Sequence, residues 1–147
     1  GGEGQAYREL CGWAARVLSD RAALWLQIEP GPCAQAAADA ELAISLQPDY
    51  AQAFVNRGTC HCRIGLTVAA RADFSRAIEM DGSNARAYNN RGALFLTEAR
   101  HADALADFEQ AIRLDPHCEV ALRNHALTAR HVRDQRKHVQ ADRAART

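Results

Sequence analysis

Aromatic residues make up only 6% of this 147-residue chain, and Met occurs once. β-Branched residues are sparse beside a large share of Ala, which suits closely packed helices better than sheets because Ala loses no side-chain entropy on helix formation. Charge of neither sign dominates: 18 basic residues stand against 18 acidic ones. A global electrostatic grip on nucleic acid or on a membrane surface is therefore not expected. No apolar run approaches the roughly 18 residues of a membrane span. The opening stretch GGEGQAYREL lacks the basic and apolar regions of a secretion signal, and its missing initial Met reads as a processed or cut end. Five cysteines, Cys11, Cys33, Cys60, Cys62 and Cys118, form an odd set without paired spacing. That argues against a disulfide framework and for a reducing, intracellular (cytoplasmic) compartment. Phosphate loops, nucleophile elbows and metalloprotease motifs are absent, so no enzyme activity, catalytic residue or cofactor is expected.

What the chain does have is self-similarity. Ala51–Asn84 and Ala85–Cys118 overlay at an offset of 34 residues, sharing an aromatic, Arg-Gly, Ala, Asp-Phe and Ala-Ile at fixed places. A fixed period of this length marks a repeat architecture, whose units bury their apolar faces only by stacking on neighbours. In the second unit, Tyr88, Gly92 and Phe95 lie along one helical face, Glu98–His101 makes a polar break, and Ala104, Phe108, Ala111 and Ile112 form a second apolar face. Asp115-Pro116 stops that helix. The unit Ala51–Asn84 repeats the pattern with Phe54, Gly58, Ala70, Phe74, Ala77 and Ile78, with Gly65 at its inner turn. The small residues Gly92, Ala104 and Ala111, like Gly58, Ala70 and Ala77 one period earlier, are expected where two helices approach most closely.

A third unit, 15–50, fits upstream if two residues are inserted in its turn, which Glu29-Pro-Gly-Pro32 supplies. Leu18 then takes the Tyr88 place, Asp20-Arg21 the Asn-Arg place, Ala22 the Gly92 place and Trp25 the Phe95 place. Residues 1–14 read as a partial helix, with Gln5–Cys11 compatible with the end of an upstream repeat that stops at Gly12; the natural array would then continue toward the N-terminus. Residues 119–147 read as a partial repeat followed by a polar capping helix. The tail from Arg130 to Thr147 is basic but has no interleaved aromatics to stack bases, so a solvated face is preferred to nucleic-acid binding.

The frame Tyr88, Gly92, Phe95, Ala104, Phe108, Ala111, Pro116 resembles the tetratricopeptide repeat (TPR). The resemblance implies an all-α fold: a TPR-type right-handed solenoid of antiparallel helix pairs, with about three repeats plus the C-terminal capping helix. It also implies use as a protein-interaction scaffold or adaptor, with first helices lining a concave groove for a segment of another protein. Self-association through the array ends is a second mode of partnership; nucleic acid and membrane are not expected partners.

Within that frame Asn56, Asn90 and Asn124 recur one period apart, and Asp20 takes the equivalent place upstream. The resemblance places this column in the groove, where amides can donate to and accept from a peptide backbone. The alternative is that each Asn bonds within or between repeats. Neighbouring groove positions add Arg16, Gln52, Arg86, Thr59 and Arg63, and the planar guanidinium suits carboxylates. Arg57 and Arg91 point elsewhere and are expected to pair between repeats. Against the family's carboxylate clamp for chaperone tails, Asn56 and Arg86 match two places, while Ser19, Ala23 and Asn90 do not. A co-chaperone adaptor and the substrate-recruiting part of a larger enzyme are therefore the alternatives. Cys60-His61-Cys62 is not expected to bind metal, because residues two apart on a helix diverge and no second ligand pair has suitable spacing. His61 fills an aromatic slot.

Overall fold

A computed structural model describes residues 2–28 and 31–146. They form seven helices and, among the described residues, no strand: α1 (Gly2–Gln27), α2 (Cys33–Leu46), α3 (Ala51–Arg63), α4 (Thr67–Met80), α5 (Ala85–Thr97), α6 (His101–Leu114) and α7 (Glu119–Ala145). The helices gather into two compact units, residues 1–87 and 88–147.

In the first unit α1 packs on α2 and α3, and α3 packs on α4. Its interior is built from small side chains. Ala22, Leu26, Ala36, Ala40 and Cys60 form one cluster, closed by Trp25, and Ala15, Ala43 and Ala53 form another beneath Leu18, Ile44 and Tyr50. In the second unit Phe95, Ala104 and Phe108 make the core, and α6 packs on α7.

Gly58 and Gly92 mark the closest approaches. A Cβ on Gly58 would lie 2.8 Å from the Phe74 ring, and one on Gly92 would lie 2.8 Å from the Phe108 ring. The upstream pair solves the same problem differently: Ala22 and Ala40 are both fully buried in one cluster, so a methyl on each helix replaces nothing on one and a ring on the other.

The inner turns share one hydrogen-bond pattern. Leu66 N–H donates to His61 C=O and Gly65 N–H to Cys62 C=O; one period later Arg100 N–H donates to Phe95 C=O and Ala99 N–H to Leu96 C=O. This C-terminal motif needs a residue in the left-handed region. Gly65 supplies it at φ 80°, but Ala99 is forced to φ 56°. A left-handed L-residue costs about 1–2 kcal/mol. Ala99→Gly is therefore expected to raise stability by about 0.5–1 kcal/mol after the entropy of the added glycine is counted, and Gly65→Ala to lower it by about 1 kcal/mol. Urea unfolding midpoints measure both. The outer turns are stabilised by Asp81 Oδ1, which accepts from Ser83 N–H at 3.0 Å, and by Asp115 Oδ1, which accepts from His117 N–H at 3.1 Å.

Two expectations change. α1 runs unbroken through Gly12, so residues 1–14 are not a separate partial helix; nothing after Gly12 turns the chain, and its neighbours continue the i→i−4 ladder. The final segment is one helix of 27 residues rather than a repeat helix and a separate cap, and every residue from Arg133 to Arg146 is exposed. In the upstream turn, Glu29 and Pro30 lie outside the described residues, but Gly31 is described. A Cβ there would come within 2.5 Å of the Ile28 carbonyl and 2.6 Å of the Trp25 carbonyl, so only glycine fits.

Candidate functional site

The most regular polar feature is a series of arginine–aspartate forks, each joining the two helices of one pair. Arg57 Nε and Nη2 donate to Asp73 at 3.1 and 2.6 Å. Arg91 Nε and Nη2 donate to Asp107 at 2.8 Å each. Arg21 does the same to Asp39 at 2.7 Å twice. Partners are 16 residues apart in the first two forks and 18 in the third. All three carboxylates are buried, and the hydrogen bond to its carboxylate raises the pKa of each guanidinium. These arginines pair within a helix pair, not between repeats as expected, because α3 and α4, like α5 and α6, cross at the Arg-Gly step where the glycine lets the helices touch. Arg57 also lies over the Phe54 ring at 5.4 Å, and Arg91 over Tyr88 at 5.8 Å. The forks are occupied internally and are not ligand groups.

The asparagine column behaves differently in the two units. Asn56 is fully buried. Its Nδ2 donates to the Ser19 carbonyl at 2.8 Å and to Ser19 Oγ at 2.9 Å, and its Oδ1 accepts from Gln52 at 3.1 Å. This corrects the expectation of a solvent-facing rung there: Ser19 on α1 is placed to take both amide protons, and burial demands that they be taken. In the second unit, Asn90 and Asn124 are partly exposed and only loosely held. Asn124 Nδ2 donates to Asn89 Oδ1 at 3.4 Å, and Asn89 Nδ2 donates to Asn90 Oδ1 at 3.3 Å. Both distances lie beyond the usual range for N–H···O bonds. Asn90 Nδ2 and Asn124 Oδ1 have no partner among the described residues. Asn89 was not singled out by its sequence position; its only signal was adjacency to Asn90.

The remaining candidates divide the same way. Thr59 Oγ1 donates to its own helix at Val55 C=O, 2.8 Å away. Arg63 Nη2 donates to the Leu26 carbonyl and so satisfies one of the orphan carbonyls at the end of α1. Gln52 serves Asn56. Arg16 and Asp20 are exposed on α1 and flank Tyr50 electrostatically: Asp20 raises the Tyr50 pKa and Arg16 lowers it, both behind the larger effect of burial. Arg86 is exposed, pairs with no carboxylate among the described residues, and has its pKa lowered by desolvation alone. It keeps its charge at neutral pH because arginine starts so high.

Cys60-His61-Cys62 splits three ways. Cys60 is buried with the Ala22 cluster, and burial, followed by the nearby Cys33, pushes its thiol up to about 11. Desolvation also raises Cys62. His61 Nδ1 lies 2.9 Å from Asp73 Oδ2, so the imidazole joins the Arg57 fork rather than merely filling an aromatic slot. All five cysteines are free thiols. Among the described residues, no group of three or more His, Cys, Asp or Glu is arranged to hold a metal ion, and no helix is long and apolar enough to cross a membrane.

Residues 31–84 and residues 85–118 each match a family profile described as tetratricopeptide repeat. No curated protein matches the chain significantly. Among solved structures, the chain is similar to the Arabidopsis OM64 TPR domain at 23% identity and TM-score 0.74, covering 82% of this chain and 98% of that one. It is similar to the first TPR domain of the human RPAP3 protein at 19% identity and TM-score 0.75, covering 84% and 96%. A third structure, the first TPR of Spaghetti (RPAP3) bound to the HSP90 peptide SRMEEVD, matches at 20% identity and TM-score 0.74, covering 82% and 94%.

Proposed function

The chain belongs to the tetratricopeptide repeat family, and from that premise we propose that it is a scaffold or adaptor that holds an extended or helical segment of another protein. The observation that carries this reading is the contrast between the two amide environments. Asn56 and the three arginine–aspartate forks are committed to internal bonds of ordinary length, whereas Asn90 and Asn124 hold long bonds that leave Asn90 Nδ2 and Asn124 Oδ1 without a partner among the described residues. A peptide backbone offers the complementary carbonyl and N–H. In the first unit, taken by itself, Arg16, Asp20 and Arg86 are proposed as polar contacts for a partner, since each is exposed.

Replacing Asn90 and Asn124 together with Ala is expected to weaken binding of such a segment about tenfold, from two hydrogen bonds of roughly 0.5–1.5 kcal/mol each. Helicity should be unchanged, because the bonds lost within the protein are long. Asn56→Ala should do the reverse: it leaves the Ser19 groups unpaired in the interior, costs about 1–3 kcal/mol of stability and leaves affinity intact. Equal loss of affinity in both variants would contradict the assignment.

A second reading, a co-chaperone adaptor, is favoured by the HSP90 peptide SRMEEVD and the HSP70 peptide SGPTIEEVD carried by two of the structural neighbours. Against it, Ser19 and Asn56, two of the clamp positions, are buried and bonded to each other. Titration with SRMEEVD decides: saturable binding below roughly 1 mM, about 4 kcal/mol, would establish the co-chaperone reading, and its absence would remove it. A role as the recruiting part of a larger enzyme would show as a catalytic domain encoded in the same gene.

A further inference from the structure

Helix α1 is apolar on two opposite faces. One face, Ala15, Ser19, Ala22 and Leu26, is buried within the first unit. The other carries Tyr7, Leu10, Trp13, Val17 and Leu24, continued by Ile28, and these six side chains are 46% to 67% exposed. An apolar stripe on a helix is normally covered by a neighbour, and α1 carries two such stripes. Six side chains of this size, each about half exposed or more, amount to roughly 600 Å² per copy and about 1,200 Å² for a pair, the lower end of a specific interface.

We infer that this stripe is an antiparallel, two-fold dimer interface in which α1 of one copy lies against α1 of a second. The spacing is self-complementary. Leu10, Val17 and Leu24 are successive heptad positions. Antiparallel pairing centred on Val17 sets Leu10 against Leu24, Val17 against its own copy, and Tyr7 beside Ile28. The same register sets the charges that border the stripe opposite uncharged residues: Asp20 meets Ala14 and Arg21 meets Trp13. Parallel, in-register pairing would instead place every charge beside its own copy. Length also selects the occupant. The stripe from Tyr7 to Ile28 spans about 32 Å, whereas helices of 13 or 14 residues, such as α3 to α6, reach only about 20 Å. The other long helix, α7, is exposed and polar along its second half. A second α1 matches in length, face and charge pattern, and a two-fold contact of this kind closes on itself.

The test is molar mass in solution for the full 147-residue chain, by light scattering behind a sizing column. At tens of micromolar the wild type should weigh twice its 16.1 kDa. Leu10→Glu and Leu24→Lys, each alone, should shift the dissociation constant at least a hundredfold and run as monomers, with circular dichroism unchanged because both sites are on the surface. An equimolar mixture of the two variants should return to twice the monomer mass, because the antiparallel register brings the new carboxylate onto the new ammonium while leaving one Leu10–Leu24 contact intact. A monomeric wild type overturns the inference. So does a mixture that stays monomeric, or a single variant that stays dimeric. The readout is mass rather than peptide affinity, so its failure leaves the proposed interaction role standing.

Discussion

Arg91→Ala is expected to lower the free energy of unfolding by about 3 kcal/mol, because it leaves the Asp107 carboxylate buried without a counter-charge. Asp107 accepts from no other basic side chain in the hydrogen bonds of the fork, and its side chain is only 8% exposed. Arg57→Ala removes a fork of the same design but should cost about half as much, since His61 Nδ1 remains 2.9 Å from Asp73 and keeps one bond to the carboxylate. Arg21→Ala should cost least. Its guanidinium is 57% exposed, so water can take its place at Asp39 once it is gone. The order Arg91, Arg57, Arg21 is the prediction, read from urea unfolding of the three variants. Equal losses at all three sites would mean that burial and the His61 contact do not govern the forks. Adding His61→Leu to Arg57→Ala should bring the loss close to that of Arg91→Ala.

Phe108→Ala should cost about 3–5 kcal/mol, the usual loss for a fully buried ring whose site cannot collapse. Gly92→Ala is damaging for the converse reason. Its new Cβ would stand 2.8 Å from a ring carbon of Phe108, and that ring has nowhere to withdraw. Overpacking costs about 1–3 kcal/mol, less roughly 1 kcal/mol regained from helix propensity. The two substitutions should not add. Together they reproduce the Ala22–Ala40 contact that the first helix pair already uses, so the double variant should be less destabilised than the sum of the singles. Strict additivity would show that the glycine and the ring do not share one space.

Much of this fold is legible in the chain because it is written twice. The placing of Gly58 over Phe74 recurs as Gly92 over Phe108, and a helix hairpin is the geometry that makes both necessary. The all-α fold of helix pairs follows from that repetition. The forks were half visible. Arg57 and Arg91 were recognisable as structural, but a partner 16 residues away looks unrelated until the hairpin is closed. The same spacing, stretched to 18 between Arg21 and Asp39, carries a signal for the two-residue insertion that composition alone suggested. Three features could not be read. Asn56 is internal only because Ser19, 37 residues away, meets it across two helices. Gly12 resembles a helix stop, yet lies inside α1 because nothing beyond it favours a turn. The outer stripe of α1 was hidden because Leu10, Val17 and Leu24 alternate around the same helix with the buried Ala15 and Ala22.

We propose that this chain holds a segment of another protein through Asn90 and Asn124, whose amides are only loosely held within the fold. Affinity capture from a cell lysate, quantified by mass spectrometry, tests it most directly when wild type is run beside the Asn90→Ala/Asn124→Ala variant, after circular dichroism has established that both are folded. A set of partners held by the wild type and lost from the variant is expected, and those partners name the ligand. Partners retained equally by both proteins would contradict it and would make Asn90 and Asn124 structural, as Asn56 already is.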